Sequence, residues 1–307
     1  LPIFSDAQQA SLRSLANKAR SAGVYQVERQ ALNAPVPADI YLPTLQGQRQ
    51  RNRPTVIISH GLGNDRTSYA YLGRHLASHG FVVIAVEHPG SNAAQINALL
   101  VGRSAAVVSN EEFIDRPRQI SALLNYLERE ATQYGSLINF AQVGLVGQSF
   151  GGYTALALAG ANLDFDVLRA ACPPSSLSLN VSLLLQCQAS QLAEPSETTL
   201  SLQDGRVRAA IAINPITSVL FGEDSMGKVT TPTMIVASGA DTVAPALQEQ
   251  LVPFTWLTQP ERYLLLMRQG THFSTIALTE TGSEAFDLPT EIIGPDPSLA
   301  QNYLKAS

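Results

Sequence analysis

Residues 143–152 read VGLVGQSFGG and continue directly into YTALALA at residues 153–159. The first stretch is an apolar run that predicts a buried strand, and the second is rich in alanine and leucine, which favour a helix. The turn between them falls on Ser149, inside a Gly-x-Ser-x-Gly pattern. That pattern also arises by chance in long chains, but here it has the flanking strand and helix that a nucleophile elbow requires.

A turn this sharp holds its serine at strained backbone angles and leaves the hydroxyl exposed above the sheet. Side chains at positions 147 and 151 would collide with neighbouring backbone, and glycine at both positions removes that collision. The start of the helix directs free N–H groups and the positive end of its dipole towards negative charge at the serine. We therefore predict that Ser149 is the nucleophile of an acyl-transfer reaction.

The composition indicates a globular chain with one large core. The 307 residues are 45% hydrophobic and 15% charged, and no run of about 18 uncharged apolar residues predicts a transmembrane segment. The net charge is −5 without a basic tract, which argues against nucleic acid as a partner. We expect an N-terminal helical segment over residues 1–23 and one main domain over residues 24–307. The sequence gives no indication of the oligomeric state.

The first residue and the two cysteines bear on localisation. The chain begins with Leu1 rather than methionine, which favours removal of a leading segment such as a signal peptide. We expect an exported protein, periplasmic or secreted, with a cytoplasmic one left open. In an exported protein, Cys172 and Cys187 can form a disulfide, whose loop closure is worth about 3 kcal/mol in the chain-entropy model. Two buried free thiols are the alternative.

The other predicted elements follow from alternating and periodic apolar residues. Predicted strands cover residues 24–32, 36–42, 55–59, 81–86, 207–213, 233–237 and 263–267. Predicted helices cover residues 5–22 and 67–79 and a long stretch from Asn110, in which Pro117 kinks the helix or marks its start. Residues 90–110 are predicted as a loop. The pattern indicates an α/β fold with a mostly parallel sheet flanked by helices.

The predicted strand at residues 55–59 runs into His60-Gly61-Leu62-Gly63. A loop of this kind can supply one backbone N–H of an oxyanion hole, because glycine lets it approach the substrate carbonyl. We predict the N–H groups of Leu62 and Phe150 as the two donors.

Two candidate partners of the serine follow other predicted strands. Asp241 lies in a turn after the strand at residues 233–237, and His272 follows the strand at residues 263–267. The carboxyl ends of parallel strands meet at one edge of a sheet, and the chain order is serine, acid, histidine. We predict Ser149, Asp241 and His272 as a catalytic triad that needs no metal or organic cofactor. A turn aspartate and a buried structural histidine are the alternatives.

A long insertion, residues 162–205, separates the predicted elbow helix from the next strand. It is too long for a simple crossover loop, and we predict that it forms a cap over the site. Its large apolar residues are Leu177, Leu179, Val181, Leu183, Leu184 and Leu185. These side chains either seat the cap on the core or line a pocket for an apolar substrate, and both alternatives stay open.

Three separated blocks carry a resemblance to a known family: SHGLG at residues 59–63, LASHGFVVIAVEH at residues 76–88 and GQSFGG at residues 147–152. Together they resemble the platelet-activating-factor acetylhydrolase group of α/β-hydrolases, whose bacterial relatives are often labelled dienelactone-hydrolase-like. The likeness covers roughly residues 55–275. It implies an α/β-hydrolase fold and serine-esterase chemistry. At the matching positions it implies Ser149 as nucleophile, His272 as base, and the N–H groups of Leu62 and Phe150 as oxyanion donors.

The chain departs from the family pattern at two places. Plasma-type members carry the acid after the strand that follows the elbow helix, where this chain has Asn214, so the resemblance implies that the acid role moves to Asp241. The insertion at residues 162–205 is not part of the strong match, which leaves the substrate open.

The expected function is therefore a serine carboxylic-ester hydrolase that acts through an acyl-enzyme on a small lipophilic ester. Open alternatives are a short-acyl phospholipid acetylhydrolase, a chlorophyll-type ester hydrolase and a polyester hydrolase acting on cutin-like material. Outside the enzymes, the alternative is a catalytically silent binding protein on the same fold.

Overall fold

The computed structural model describes residues 6–129, 132–173, 180–192, 201–277 and 297–307. Leu177 and Leu179, two of the apolar residues of the insertion, lie outside the described residues. In the described ranges one sheet contains β1 (Gln26–Leu32), β2 (Ala38–Leu45), β3 (Gln48–Arg49), β4 (Arg53–Ser59), β5 (Val82–Val86), β6 (Ile138–Gln148), β7 (Val207–Ile213), β8 (Thr233–Ser238) and β9 (Arg262–Met267).

The sheet is mostly parallel. Its strand order is β1-β2-β5-β4-β6-β7-β8-β9, and β3 pairs with β2. The pairs β1–β2 and β2–β5 are antiparallel, whereas every neighbouring pair from β5 to β9 is parallel. This arrangement confirms the predicted α/β class. It also brings the carboxyl ends of β4, β6, β7, β8 and β9 to a single edge of the sheet.

The helices of the described residues are α1 (Asp6–Arg20), α2 (Ala70–Ser78), α3 (Ala93–Leu100), α4 (Glu112–Arg129), α5 (Thr132–Gly135), α6 (Phe150–Ala159), α7 (Phe165–Ala171), α8 (Val181–Gln186), α9 (Gly222–Met226), α10 (Val252–Trp256) and α11 (Pro297–Ala306). A 3₁₀ turn covers Cys187–Gln191, and a π-helical turn covers Leu247–Leu251. None of these helices combines the length and the apolar character needed to cross a bilayer.

One prediction about the segment before α6 was wrong, and one of two alternatives was decided. Residues 93–100 form a helix rather than a loop, because the Asn92 side chain accepts the N–H of Gln95 at 3.1 Å and caps the first turn. Pro117 lies inside α4 rather than at its start. Proline has no N–H to donate to the carbonyl of Phe113 four residues earlier, and the Tyr153 hydroxyl donates to that carbonyl instead, at 2.7 Å.

The core holds α6 firmly against the sheet. Every residue of α6 is buried, and the helix contacts β6, β7 and α4. The predicted apolar face of α4 is fully buried and consists of Ile120, Leu123, Leu124 and Leu127. Each such leucine or isoleucine stabilises the fold by about 1.5–3 kcal/mol relative to an exposed one. The turn that carries Ser149 is therefore attached to rigid elements on both sides.

The insertion at residues 162–205, named here the cap segment, includes α7, α8 and the 3₁₀ turn. Cys172 and Cys187 form a disulfide that joins the end of α7 to the end of α8, with their Cα atoms 5.5 Å apart. The buried side of α8 is polar, since Ser182 and Gln186 bond the fully buried carboxylate of Glu249 at 2.9 and 3.0 Å.

The apolar residues of α8 point in several directions. Val181 and Leu184 are 53% and 52% exposed, whereas Leu185 packs against the core. The helix is thus seated mainly by buried polar contacts, and its exposed side is apolar. Its role as a cap stays a prediction.

Candidate active site

Ser149 lies in the turn between β6 and α6, at the carboxyl edge of the sheet. Its backbone angles are φ 55° and ψ −115°, which residues other than glycine rarely adopt. A Cβ atom at Gly147 would lie 1.9 Å from the carbonyl oxygen of Gly151, and one at Gly151 would lie 2.0 Å from that of Ser59. Strain at the serine and glycine on both sides are the local features that the sequence predicts.

Two backbone hydrogen bonds hold Ser149 in place, and the residue as a whole is 7% exposed. Its N–H donates to the carbonyl of Ile213 at 2.8 Å, and its carbonyl accepts the N–H of Tyr153 at 3.0 Å. These bonds anchor the strained residue to β7 and to the first turn of α6.

Asp241 and His272 follow β8 and β9 and meet at the same edge. Nδ1 of His272 lies 2.7 Å from Oδ2 of Asp241, and both side chains are buried. The other carboxylate oxygen accepts the N–H groups of Val243 and Ala244 at 2.9 and 2.7 Å. Because a carboxylate only accepts, Nδ1 of His272 is the donor of this bond, and in that tautomer Nε2 is the ring atom that can accept a proton.

Within the described residues, the Ser149 hydroxyl and the His272 ring are not hydrogen-bonded to each other. Such a bond is often long without substrate and shortens in the complex. The residue before the serine does contact the histidine loop, because Nε2 of Gln148 donates to the carbonyl of His272 at 3.1 Å.

Two further residues, which the sequence does not assign to the site, hold the loop that carries His272. Gln148, beside the serine, is 1% exposed and bonds His272 as described. Asn214, at the end of β7, is fully buried, and its Nδ2 lies 3.3 Å from the carbonyls of both Thr271 and His272. The position that the family resemblance singles out for an acid thus holds an amide that supports the base. In the sequence, the feature that could have indicated this role for Asn214 is its place as a polar residue directly after a buried strand.

The predicted oxyanion donors occupy neighbouring loops. Phe150 is the first residue of α6, so its N–H has no partner within the helix. The N–H of Leu62 has no hydrogen-bond acceptor in the part of the chain that the structure describes. A Cβ atom at Gly61 would lie 2.3 Å from Oε1 of Gln148, so the Leu62 loop packs directly against the elbow. The arrangement leaves two backbone N–H groups available beside Ser149.

Two buried histidines, His60 and His88, form hydrogen bonds next to the loop that contains Leu62. Nδ1 of His60 donates to the carbonyl of Gly61 at 2.7 Å, and its Nε2 accepts the N–H of His88 at 3.0 Å. His88 in turn bonds the Ser59 hydroxyl through Nε2 at 3.0 Å and Oε1 of Gln119 through Nδ1 at 2.7 Å. Burial, and next to it the positive charge of Arg116, lowers the pKa of His60 to about 3 and that of His88 well below its usual value.

We expect these histidines to make the fold acid-sensitive. In the unfolded chain they take up protons below about pH 6.5, whereas in the folded protein they stay neutral, so folding stability falls as the pH falls from about 6.5 towards 3. Between pH 7 and pH 5 the expected loss in the free energy of unfolding is about 2 kcal/mol for each histidine. Urea unfolding at the two pH values measures it.

The matched variant for this measurement is His88→Gln, which removes one of the two titrating groups. Its loss between pH 7 and pH 5 should be smaller than that of the wild type by about 2 kcal/mol. An equal loss in both proteins would contradict a neutral buried His88.

The chain is similar in sequence to two groups of known proteins, of which the first are acetylhydrolases. A family model described as platelet-activating factor acetylhydrolase, isoform II, matches residues 24–122. The platelet-activating factor acetylhydrolase of Canis lupus familiaris is 29% identical over 154 residues, which cover 39% of this chain and 34% of that protein. The corresponding protein of Cavia porcellus is 33% identical over 152 residues, with the same coverage.

Bacterial cutinases form a second group of relatives. Cutinase est1 of Thermobifida alba is 32% identical over 128 residues, which cover 41% of this chain and 36% of the cutinase. In each comparison the chain spans about a third of the length of the curated relative that it matches. Together with the parallel sheet and the strained serine between β6 and α6, these similarities indicate an α/β-hydrolase fold, in a chain similar to platelet-activating factor acetylhydrolases and cutinases.

Proposed function

We propose that the protein is a carboxylic-ester hydrolase with Ser149 as nucleophile, His272 as base and Asp241 as acid. The observation that carries this proposal is the 2.7 Å contact between Nδ1 of His272 and Oδ2 of Asp241, at the sheet edge where Ser149 has a φ of 55°. A buried carboxylate–imidazole pair beside a serine in a strained elbow is the arrangement that acyl transfer requires. The similarity to acetylhydrolases and cutinases supports the same reaction class.

In the first half of the reaction, Oγ of Ser149 attacks the ester carbonyl while Nε2 of His272 takes the hydroxyl proton. The carboxylate of Asp241 holds the ring in the required tautomer and stabilises the imidazolium. The carbonyl oxygen becomes an oxyanion, which accepts hydrogen bonds from the N–H groups of Leu62 and Phe150. Collapse of this intermediate breaks the ester bond, and the imidazolium returns its proton to the departing alcohol.

The second half repeats these steps with water. His272 takes a proton from the water, whose oxygen attacks the acyl carbon, and the second tetrahedral intermediate releases the carboxylic acid. Ser149 recovers its proton from the imidazolium. The residues named above account for every proton transfer in the cycle.

For the substrate class, we propose a lipophilic ester. The cap segment contacts the loop of the acid, since the N–H of Ser182 donates to the carbonyl of Val243 at 3.0 Å, two residues after Asp241. The half-exposed side chains of Val181 and Leu184 belong to the same short helix. Apolar surface next to the site favours substrates with longer apolar chains.

The test is catalytic efficiency on p-nitrophenyl esters from acetate to octanoate. Each methylene buried is worth about 0.8 kcal/mol, so three or four extra carbons should raise kcat/KM by about tens-fold or more. A flat or falling series would contradict the lipophilic pocket and leave a short-acyl esterase. A short-acyl phospholipid and a cutin-like polyester in the same panel separate the substrate types named for the two groups of relatives.

The same series with and without reductant tests the role of the disulfide. Because the Cys172–Cys187 bond joins α7 to α8, reduction should weaken the preference for long chains more than it weakens turnover of the acetyl ester. An unchanged profile after complete reduction would show that the bond does not shape the pocket.

We also propose export to an oxidising compartment, which the disulfide supports because such bonds persist there.

A further inference from the structure

Arg116 is a fully buried cation that the proposed chemistry does not use. It lies on α4, among the largest side chains that have no solvent exposure. Burial lowers its pKa to about 9, so the guanidinium keeps its charge at neutral pH. Nε and Nη1 have no hydrogen-bond partner among the described residues. Burying a charge with so few hydrogen-bond partners costs folding free energy. The contacts that Arg116 does make therefore point to a role beyond stability.

The guanidinium touches both loops that carry the proposed oxyanion donors. Nη2 donates to the carbonyl oxygen of His60, two residues before Leu62. The central guanidinium carbon lies 4.6 Å from the centre of the Phe150 ring, within the range of a cation–π contact. One side chain on α4 thus links the loop after β4 to the first residue of α6.

The first contact holds the peptide directly before the one that carries the Leu62 N–H. Arg116 holds the His60 carbonyl, while the His60 ring donates to the carbonyl of Gly61 at 2.7 Å. The Gly61 carbonyl and the Leu62 N–H belong to one planar trans peptide and point in opposite directions. Holding that carbonyl on one side therefore aims the Leu62 N–H to the other side.

The second contact fixes Phe150. Its ring lies 4.8 Å from that of Phe113 and 5.7 Å from that of Tyr153, centre to centre. The Tyr153 hydroxyl donates to the carbonyl of Phe113, so the three aromatic residues form one unit between α4 and α6. Because Arg116 also contacts the Phe150 ring, this ring and hence the backbone of Phe150 have little freedom to rotate.

We propose that Arg116 is the positioning residue of the oxyanion hole. It holds the Leu62 and Phe150 N–H groups in a fixed position relative to each other. This inference rests on the proposed ester hydrolysis. Arg116 touches neither the serine nor the substrate in this scheme. It acts through His60 and Phe150, and its removal should weaken stabilisation of the tetrahedral intermediate more than binding of the ground-state ester.

The test compares Arg116→Met, which keeps the length of the side chain without its charge and donors, with the wild type. The expected result is a fall in kcat of about 10²-fold, the size of effect seen when one oxyanion donor is lost, with KM changed by less than about threefold. The matched control is Arg118→Met, which changes an exposed arginine of the same helix and should leave both constants unchanged.

A second readout separates positioning from general loss of structure. An alkyl trifluoromethyl ketone forms a tetrahedral adduct with a catalytic serine, whereas the corresponding alcohol binds the same pocket without an oxyanion. In Arg116→Met the inhibition constant of the ketone should rise by the same factor by which kcat falls, and that of the alcohol should stay within about threefold of the wild type. Equal weakening of ketone and alcohol would overturn the inference.

A milder variant covers the case in which methionine prevents folding. Arg116→Lys keeps a cation but loses the planar group that reaches a carbonyl and a ring together, so kcat should still fall, by a smaller factor. Combining it with Phe150→Leu, which removes the ring and keeps the N–H, should cost less than the product of the two single effects. Strictly multiplicative effects, or a wild-type kcat in Arg116→Lys, would overturn the positioning role.

These outcomes are distinct from failure of the proposed function. A wild-type protein that hydrolyses no ester of the panel and binds the ketone no better than the alcohol overturns ester hydrolysis itself. An active wild type whose Arg116 variants keep normal kcat and ketone affinity overturns only the role of Arg116.

Discussion

Ser149→Ala is expected to lower ester turnover by about 10⁴-fold or more while the protein stays folded. The substitution removes the only atom of the residue that takes part in the proposed chemistry, and Cβ remains in place. The two backbone hydrogen bonds that anchor the elbow, to Ile213 and Tyr153, do not involve the hydroxyl. Steady-state turnover of a p-nitrophenyl ester, with thermal unfolding measured alongside, gives the result.

A matched control for this variant is Ser109→Ala, which changes an exposed serine in the loop before α4 and should keep full activity. Mass spectrometry after treatment with a fluorophosphonate provides an independent check. The wild type and the control should each gain one adduct, and Ser149→Ala should gain none. Near-normal turnover by a folded Ser149→Ala variant would falsify the assignment of the nucleophile.

Asp241→Asn is expected to reduce kcat by about 10⁴-fold, as found when the carboxylate of a serine–histidine–aspartate triad becomes an amide. The carboxylate accepts from Nδ1 of His272 at 2.7 Å and from two backbone N–H groups. An amide in this place offers its N–H to the histidine, which reverses the tautomer and removes the lone pair from Nε2. The comparison is Asp224→Asn, an exposed carboxylate on α9, which should keep wild-type kcat.

The same measurement can reject this assignment. If Asp224→Asn were the crippling change, the acid would belong to the segment after β7. Introducing Asn214→Asp into the Asp241→Asn variant should not restore activity, because Asn214 now donates to the carbonyls of Thr271 and His272. A carboxylate there would face those carbonyl oxygens with no proton to share.

The parts of the molecule that the sequence predicts are those that neighbouring residues decide. The elbow needs an apolar strand, a helix-forming stretch and small residues on either side of Ser149, and all three lie within residues 143–159. The parallel sheet follows from apolar runs that alternate with helical ones, and the strand ends then bring Asp241 and His272 to one edge. Because these requirements involve residues that are close in the chain, they can be recognised in the amino-acid sequence.

Other features depend on a partner from elsewhere in the chain, which no local rule identifies. Pro117 sits inside α4 because the Tyr153 hydroxyl, from another helix, takes the carbonyl that proline leaves free. The leucine-rich α8 is seated by Ser182 and Gln186 on Glu249, more than sixty residues later, so its polar side is buried and much of its apolar side is exposed.

The sequence by itself thus determined the class of fold, the strained serine and the order of the candidate catalytic residues, because each depends on side-chain volume, backbone freedom or apolar period over a few positions. Only the tertiary structure decided which distant residues contact them. Arg116 lies against the carbonyl of His60 and the ring of Phe150, and Gln148 and Asn214 donate to the carbonyl of His272. These contacts join residues 34 to 124 positions apart. A hydrogen bond or cation–π contact over such a separation depends on how the helices and strands pack, and no pattern along the chain records it.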